Sequence, residues 1–179
     1  MGRRFALAVV AAFAGAVPAA AQRGIVDIAP LARYTTFDES LFLENGLGIG
    51  GRFTLFFADK WTAEVTATRT ETEDDLTGTA NVIYVPLHIR VNFVEPISTR
   101  ARMVVGAGYV HNQYLGDADG QDDGATGMFG FEVDLNQMFR ARLDFAVDYM
   151  TGNPAGGNAD NWNNGFQLSL SYRLVKGGQ

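Results

Sequence analysis

Three groups of side chains in this 179-residue sequence have types and spacings that could do chemistry. The first is DADGQDDG, where Asp117, Asp119, Asp122 and Asp123 stand between glycines, as hard oxygen ligands for Ca²⁺ are arranged. Gln121 occupies the place where a full EF-hand loop carries Asp or Asn, and no Glu closes the loop. A solvated acidic loop therefore competes with a metal site. The second group is His88 and His111, the only histidines, together with Ser40. Hydrolytic chemistry would need a hydroxyl and an imidazole held within hydrogen-bond reach. No spacing in the sequence positions them so, and a non-catalytic protein without a cofactor is expected. The third group is larger. Asp27, Arg33, Arg52, Glu64, Arg90, Arg102, Glu132, Asp134, Arg140, Arg142, Asp144, Asp148 and Arg173 share one alternating parity with His88. Their chemistry is ion pairing.

Period-two spacing belongs to β-strands, whose successive side chains face opposite ways. RARLDFAVDY (140–149) alternates without a fault, Leu143, Phe145, Val147 and Tyr149 opposing Arg142, Asp144 and Asp148. Seven more segments behave similarly: 26–35, 47–55, 61–70, 83–93, 102–112, 129–134 and 166–174. Most have about the 9–11 residues that a tilted strand needs to cross a bilayer. Their connections alternate in length. Residues 57–60, 94–99 and 136–138 are short turns, whereas 36–45, 71–79, 113–126 and 150–163 read as long loops. The long loops hold 12 of the 20 acidic residues and no Lys or Arg. Short turns at one end and long loops at the other is the pattern of an up-and-down barrel in a membrane.

Met1–Ala21 reads as a cleavable signal peptide: Arg3 and Arg4, an apolar core, then Ala19-Ala20-Ala21. Residues 22–179 then form one domain carrying 12 basic and 20 acidic residues, a net charge of −8. Such a surface has no basic patch for nucleic acid. There is no Cys, so an exported chain of this size needs a core or a membrane to hold it, not disulfides. No second long apolar run follows the signal, which leaves strands as the means of spanning.

The two faces differ in what solvent they tolerate. Arginine facing lipid costs roughly 2–4 kcal/mol at the bilayer midplane. The charged parity must therefore look into water or into a lumen where opposite charges meet. The apolar parity carries aromatic residues at two heights: Trp61, Phe93, Phe139 and Tyr172 near the short turns, and Tyr34, Tyr109, Phe129, Tyr149 and Phe166 near the long loops. Between them lie mainly Val, Leu, Ile and Ala. A bilayer asks for two such girdles; the ligand cavity of a soluble eight-stranded carrier does not. The fold expected is all-β, an eight-stranded antiparallel up-and-down transmembrane barrel preceded by a cleavable signal peptide. Eight strands leave an interior just wide enough for side chains to fill, so a charge-plugged lumen is expected, with a narrow channel as the alternative.

The run GLGIGGRFTLFFADKWTAEVTATRT resembles the first hairpin of small OmpA/OmpX-type outer-membrane barrels, and VVGAGYVHN, GFEVDLN and NGFQLSLSYRL resemble further strands of that family. The resemblance implies a barrel placed in outer-membrane lipid by the barrel-assembly machinery, with the last strand as the recognition signal. Family members often end on an aromatic residue, whereas this chain continues past Tyr172 as RLVKGGQ. The peptidoglycan-binding domain of OmpA-type proteins is not expected. Function is expected in membrane integrity or in contact with an extracellular partner through the acidic loops.

Overall fold

Strict alternation yields eight strands in sequence order: β1 (Val26–Thr36), β2 (Gly46–Ala58), β3 (Trp61–Glu73), β4 (Asn81–Pro96), β5 (Ala101–Gly116), β6 (Gly120–Asp134), β7 (Phe139–Thr151) and β8 (Asn161–Val175). The computed structural model describes residues 25–73, 81–117, 120–151 and 160–175. The signal expected over 1–21 lies outside them. Each strand pairs antiparallel with its neighbour, and β8 returns to β1, closing a barrel. Closure leaves no free sheet edge, the condition for strands to span hydrocarbon.

Two of the short turns are fastened by side chains suited to the task. Ser98 Oγ accepts from the N–H groups of Arg100 and Ala101, and Asn136 Oδ1 accepts from those of Met138 and Phe139. Ser and Asn favour turns because they can satisfy backbone groups locally. At the opposite end, residues 37–45 contain one 3-10 turn, Glu39–Leu41, and fold back over the barrel mouth.

Residues 113–126 are not the long loop that the sequence suggests. β5 runs on to Gly116 and β6 starts at Gly120, so these residues form a tall hairpin. The alternation continues there on polar and small residues: Asn112, Tyr114, Asp122 and Thr126 point inward. Hydrophobicity does not mark it. In the same way β8 begins at Asn161, placing Trp162 on a strand rather than in a loop.

Proline interrupts the ladder twice. The β1–β8 pairing passes from Ile28↔Tyr172 to Leu31↔Ser169, skipping Pro30, and β3–β4 passes from Ala67↔Leu87 to Thr70↔Tyr84, skipping Pro86. Lacking an N–H, proline deletes a ladder bond wherever it sits within a sheet.

The distribution of side chains is inverted relative to a water-soluble protein. Ile49 is 73% exposed and Leu47 67%, while Arg33 and Glu64 are wholly buried. Two apolar clusters lie inside among the polar groups. Val94, Val104, Met128 and Ala146 gather with Phe56; Val82, Tyr84 and Tyr114 gather with Phe37 and Leu43. An apolar wall outside a charged core is stable only if the outer solvent is itself apolar. The soluble-carrier alternative, with the apolar parity inward, does not describe this molecule.

Candidate functional site

The lumen is the site, and strand alternation builds it. Every second residue of each strand enters it, and the stagger of the strands decides which side chains meet.

Near the short turns, Arg140 is the hub. Its Nη1 lies 3.0 Å from Asp27 and 3.1 Å from Glu132, and its Nε 2.8 Å from Asp134. Arg102 bonds Glu132 at 3.1 Å and also Asp134, and Arg173 approaches Asp27 at 3.5 Å. The Arg140 guanidinium covers the Phe56 ring at 5.5 Å, a favourable placement for a cation. Three positive and three negative groups balance in this tier.

The middle tier centres on Glu64. Arg142 lies 2.7 Å from its carboxylate, Arg90 3.4 Å and Arg52 3.6 Å. Arg142 also reaches Asp144 at 2.6 Å, and Arg52 bonds Asp144 too. Arg52 donates further to Ser169 at 2.8 Å and Gln167 at 3.0 Å. Three guanidiniums face two carboxylates here, an excess of one positive charge.

Above it, Arg33 donates to Asp148 at 2.6 Å, and the His88 ring sits 3.0 Å from both. His88 Nδ1 lies 3.3 Å from the Thr66 hydroxyl. Hydroxyl, imidazole and carboxylate thus stand in the order of a nucleophile relay. All three are buried inside the barrel, and Arg33 occupies the remaining side of the pair. Gly165 makes room for Arg33: a Cβ there would stand 2.6 Å from the guanidinium.

Aromatic and amide groups gather at the mouth. Tyr84 donates to Asn112 at 2.9 Å, Tyr114 donates to Asp122 at 3.3 Å, and Phe37 stands edge-on to Tyr84 at 4.9 Å. The lid over 37–45 is anchored by Asp38. Its carboxylate accepts from the N–H groups of Ser40 at 2.9 Å and Trp162 at 3.0 Å, and its own N–H donates to Asn163 at 3.1 Å. Those two donors hold the Asp38 carboxyl below the usual carboxylate range. Leu41 is buried beneath the lid, while Phe42 stays exposed at φ +52°.

The structure brings all thirteen parity-matched charges and His88 into contact inside the barrel. It adds Asp122, which the sequence places in an acidic loop and the barrel turns inward. With Asp122, seven positive and seven negative side chains of the described residues enter the lumen. Gln167, Ser169 and Asn112 also belong to the network; their parity was readable, but a neutral polar residue gives no sign of which charge it will serve.

The metal-ligand reading fares differently. Asp122 points inward, and Asp123 points outward to bond Tyr109 and, at 2.7 Å, His111. Consecutive strand positions cannot converge on one ion. Asp117 accepts from the Asn81 N–H at 3.0 Å, and Asp119 lies outside the described residues. Among the described residues no cluster of three His, Asp or Glu side chains could hold a metal.

On the outer wall the aromatic residues pair across strands. Trp61 meets Phe93 at 5.3 Å and Phe139 meets Tyr172 at 5.4 Å beside the short turns. Tyr149 meets Trp162 at 4.7 Å toward the lid, and Phe145 meets Phe166 at 5.1 Å midway along β7. Tyr34 and Tyr109 are exposed on the same wall; Phe129, expected near the long loops, instead stands beside Phe145 at mid-wall, because β6 runs on past it to Gly120. Arg69, outward on β3, is paired with Glu71 at 2.8 Å.

Solved structures share this architecture. OprG from Pseudomonas aeruginosa is 17% identical, with 86% of this chain and 97% of that one covered and a TM-score of 0.57. Neisserial surface protein A is 10% identical over 84% and 97%, with a TM-score of 0.61. Ail, the attachment invasion locus protein of Yersinia pestis, is 11% identical over 85% and 98%, with a TM-score of 0.55. At such identities the likeness concerns the fold. No curated protein matches the chain by sequence. The family model of the outer membrane protein beta-barrel domain matches residues 5–173. An inverted, closed, eight-stranded barrel and that match lead to one conclusion: the chain belongs to the outer membrane protein β-barrel domain family and resides in the outer membrane.

Proposed function

We propose that this protein is a sealed, non-catalytic barrel that contributes to the integrity of the outer membrane and presents its acidic lid end to the exterior. One observation carries the reading: buried ion pairs run in three tiers from the short turns to the lid, linking side chains of β1, β2, β3, β4, β5, β6, β7 and β8. Ions would have to break several of these contacts to pass. At the short-turn end Asp27, Asp134, Arg140 and Arg173 are held together by ion pairs. Buried charge pairs stabilise little in net terms but are costly to break; they suit a closed lumen better than a conducting one. The outer rim bears Glu39, Glu44, Glu71 and Glu73, with one basic residue, Arg69, among the strand positions beside them. An extracellular partner meeting this end would be cationic, and the assembly machinery would act on the chain before closure.

Reconstitution into planar bilayers tests the proposal. The expected trace is flat, at the level of protein-free membranes, for samples whose gel mobility shows a closed barrel. A reproducible unitary conductance would transfer the protein to the narrow-channel class.

A further inference from the structure

Charge is not spread evenly along the lumen. Below the mouth, among the described residues, seven arginines stand with six carboxylates, those of Asp27, Glu64, Glu132, Asp134, Asp144 and Asp148. Asp122 would even the count, but it bonds Tyr114 and lies four residues along β6 from Thr126, roughly 13 Å at the rise of a strand. The surplus therefore falls in the middle tier.

Within that tier it belongs to one side chain. Arg142 bonds both Glu64 and Asp144, and Arg52 reaches the same two carboxylates as well as Ser169 and Gln167. Arg90 spends only Nη2, on Glu64 at 3.4 Å and Thr66 at 3.2 Å. Its Nε and Nη1 are buried, and no acceptor among the described residues bonds them. A guanidinium with three N–H bonds unspent is costly to bury. Water can accept those bonds but leaves the charge; a small anion meets both needs. The neighbouring inward positions suit one. Beside Arg90 on β5 stands Gly108, which puts no side chain into the lumen, and beyond it Thr126 carries a hydroxyl that can donate. Asp148 follows in the same row, its charge already met by Arg33 at 2.6 Å.

We infer that Arg90 holds one small monovalent anion of the chloride class inside the lumen, against its Nε and Nη1. The ion brings the middle tier to neutrality without a further acidic side chain.

Urea unfolding of the protein in phosphatidylcholine vesicles, with chloride replaced stepwise by gluconate at constant ionic strength, tests the assignment. Gluconate is too bulky for a lumen that side chains fill. The wild-type midpoint is expected to rise by about 0.5–1 M for each tenfold increase in chloride once the site begins to fill. Arg90→Gln should remove that dependence, and Arg69→Gln, on the outer wall, should keep it. Crystals grown in bromide give a readout that needs no variant: an anomalous peak is expected within hydrogen-bond distance of Arg90. A wild type indifferent to chloride, a dependence that Arg90→Gln retains, or water alone beside Arg90 in the bromide crystals would each overturn the inference.

Discussion

Replacing Glu64 by Gln removes the carboxylate that three guanidiniums share, at 2.7, 3.4 and 3.6 Å. The tier then has Arg52, Arg90 and Arg142 against Asp144 alone, so its excess positive charge rises from one to two. Breaking a buried pair by removing one partner costs about 3–5 kcal/mol, because the remaining charge stays desolvated. Arg90→Gln is the informative contrast. Arg90 has one carboxylate partner and donates to Thr66 at 3.2 Å, and its removal brings the tier to neutrality. The expected cost is that of a charged hydrogen bond, roughly 1.5–3 kcal/mol. The double variant restores an excess of one, so it should be more stable than Glu64→Gln alone. Urea unfolding in lipid vesicles, followed by the mobility difference between heated and unheated samples, measures all three. If Arg90→Gln were the more damaging single change, or if the double variant were worse than Glu64→Gln, charge balance would not govern this lumen.

Three further outcomes follow from other parts of the molecule. The Asp38 carboxyl is held below its ordinary value of 3.8, so its stabilisation of the lid is present above that pH. It is lost as pH falls through the lower folded value; amide signals of Ser40 and Trp162 should shift in that acid window, and Asp38→Asn should abolish the shift while leaving the barrel closed. Gly165→Ala forces a methyl group against the Arg33 guanidinium, and overpacking of this kind costs about 1–3 kcal/mol, read as a lower urea midpoint in vesicles. Calcium titration at millimolar concentration should leave the backbone resonances of Asp122 and Asp123 unmoved, since their carboxylates sit on opposite faces; a joint saturable shift would contradict that geometry.

The strands were legible because alternation is a local property. Arg140, Arg142, Asp144 and Asp148 enter the lumen as their spacing demands, and Leu143 and Phe145 face outward. Partner choice was not legible. Glu64 and Arg142 are 78 positions apart on β3 and β7, and only the stagger of the closed barrel brings them together. Asp122 and Asp123 look like one acidic loop in the sequence because charge obscures the period-two pattern; Asn112 and Tyr114, on the facing strand β5, carry it in polar guise. Phe56 was hidden for the opposite reason. In FTLFFA consecutive apolar residues give no parity, and the ring turns inward against Val94 and Val104.

The ion pairs also carry information about time. Asp27 and Arg33 belong to the first strand, yet their partners Arg140 and Asp148 stand on the seventh, and Arg173, also beside Asp27, on the eighth. None of these contacts exists while the chain is still an open sheet. Until the two ends meet, β1 must keep its carboxylate and guanidinium hydrated, exposed on the surface that will become the inside. Joining of the ends is therefore the event that expels water from the barrel, and the first residues to emerge are among the last to find their neighbours.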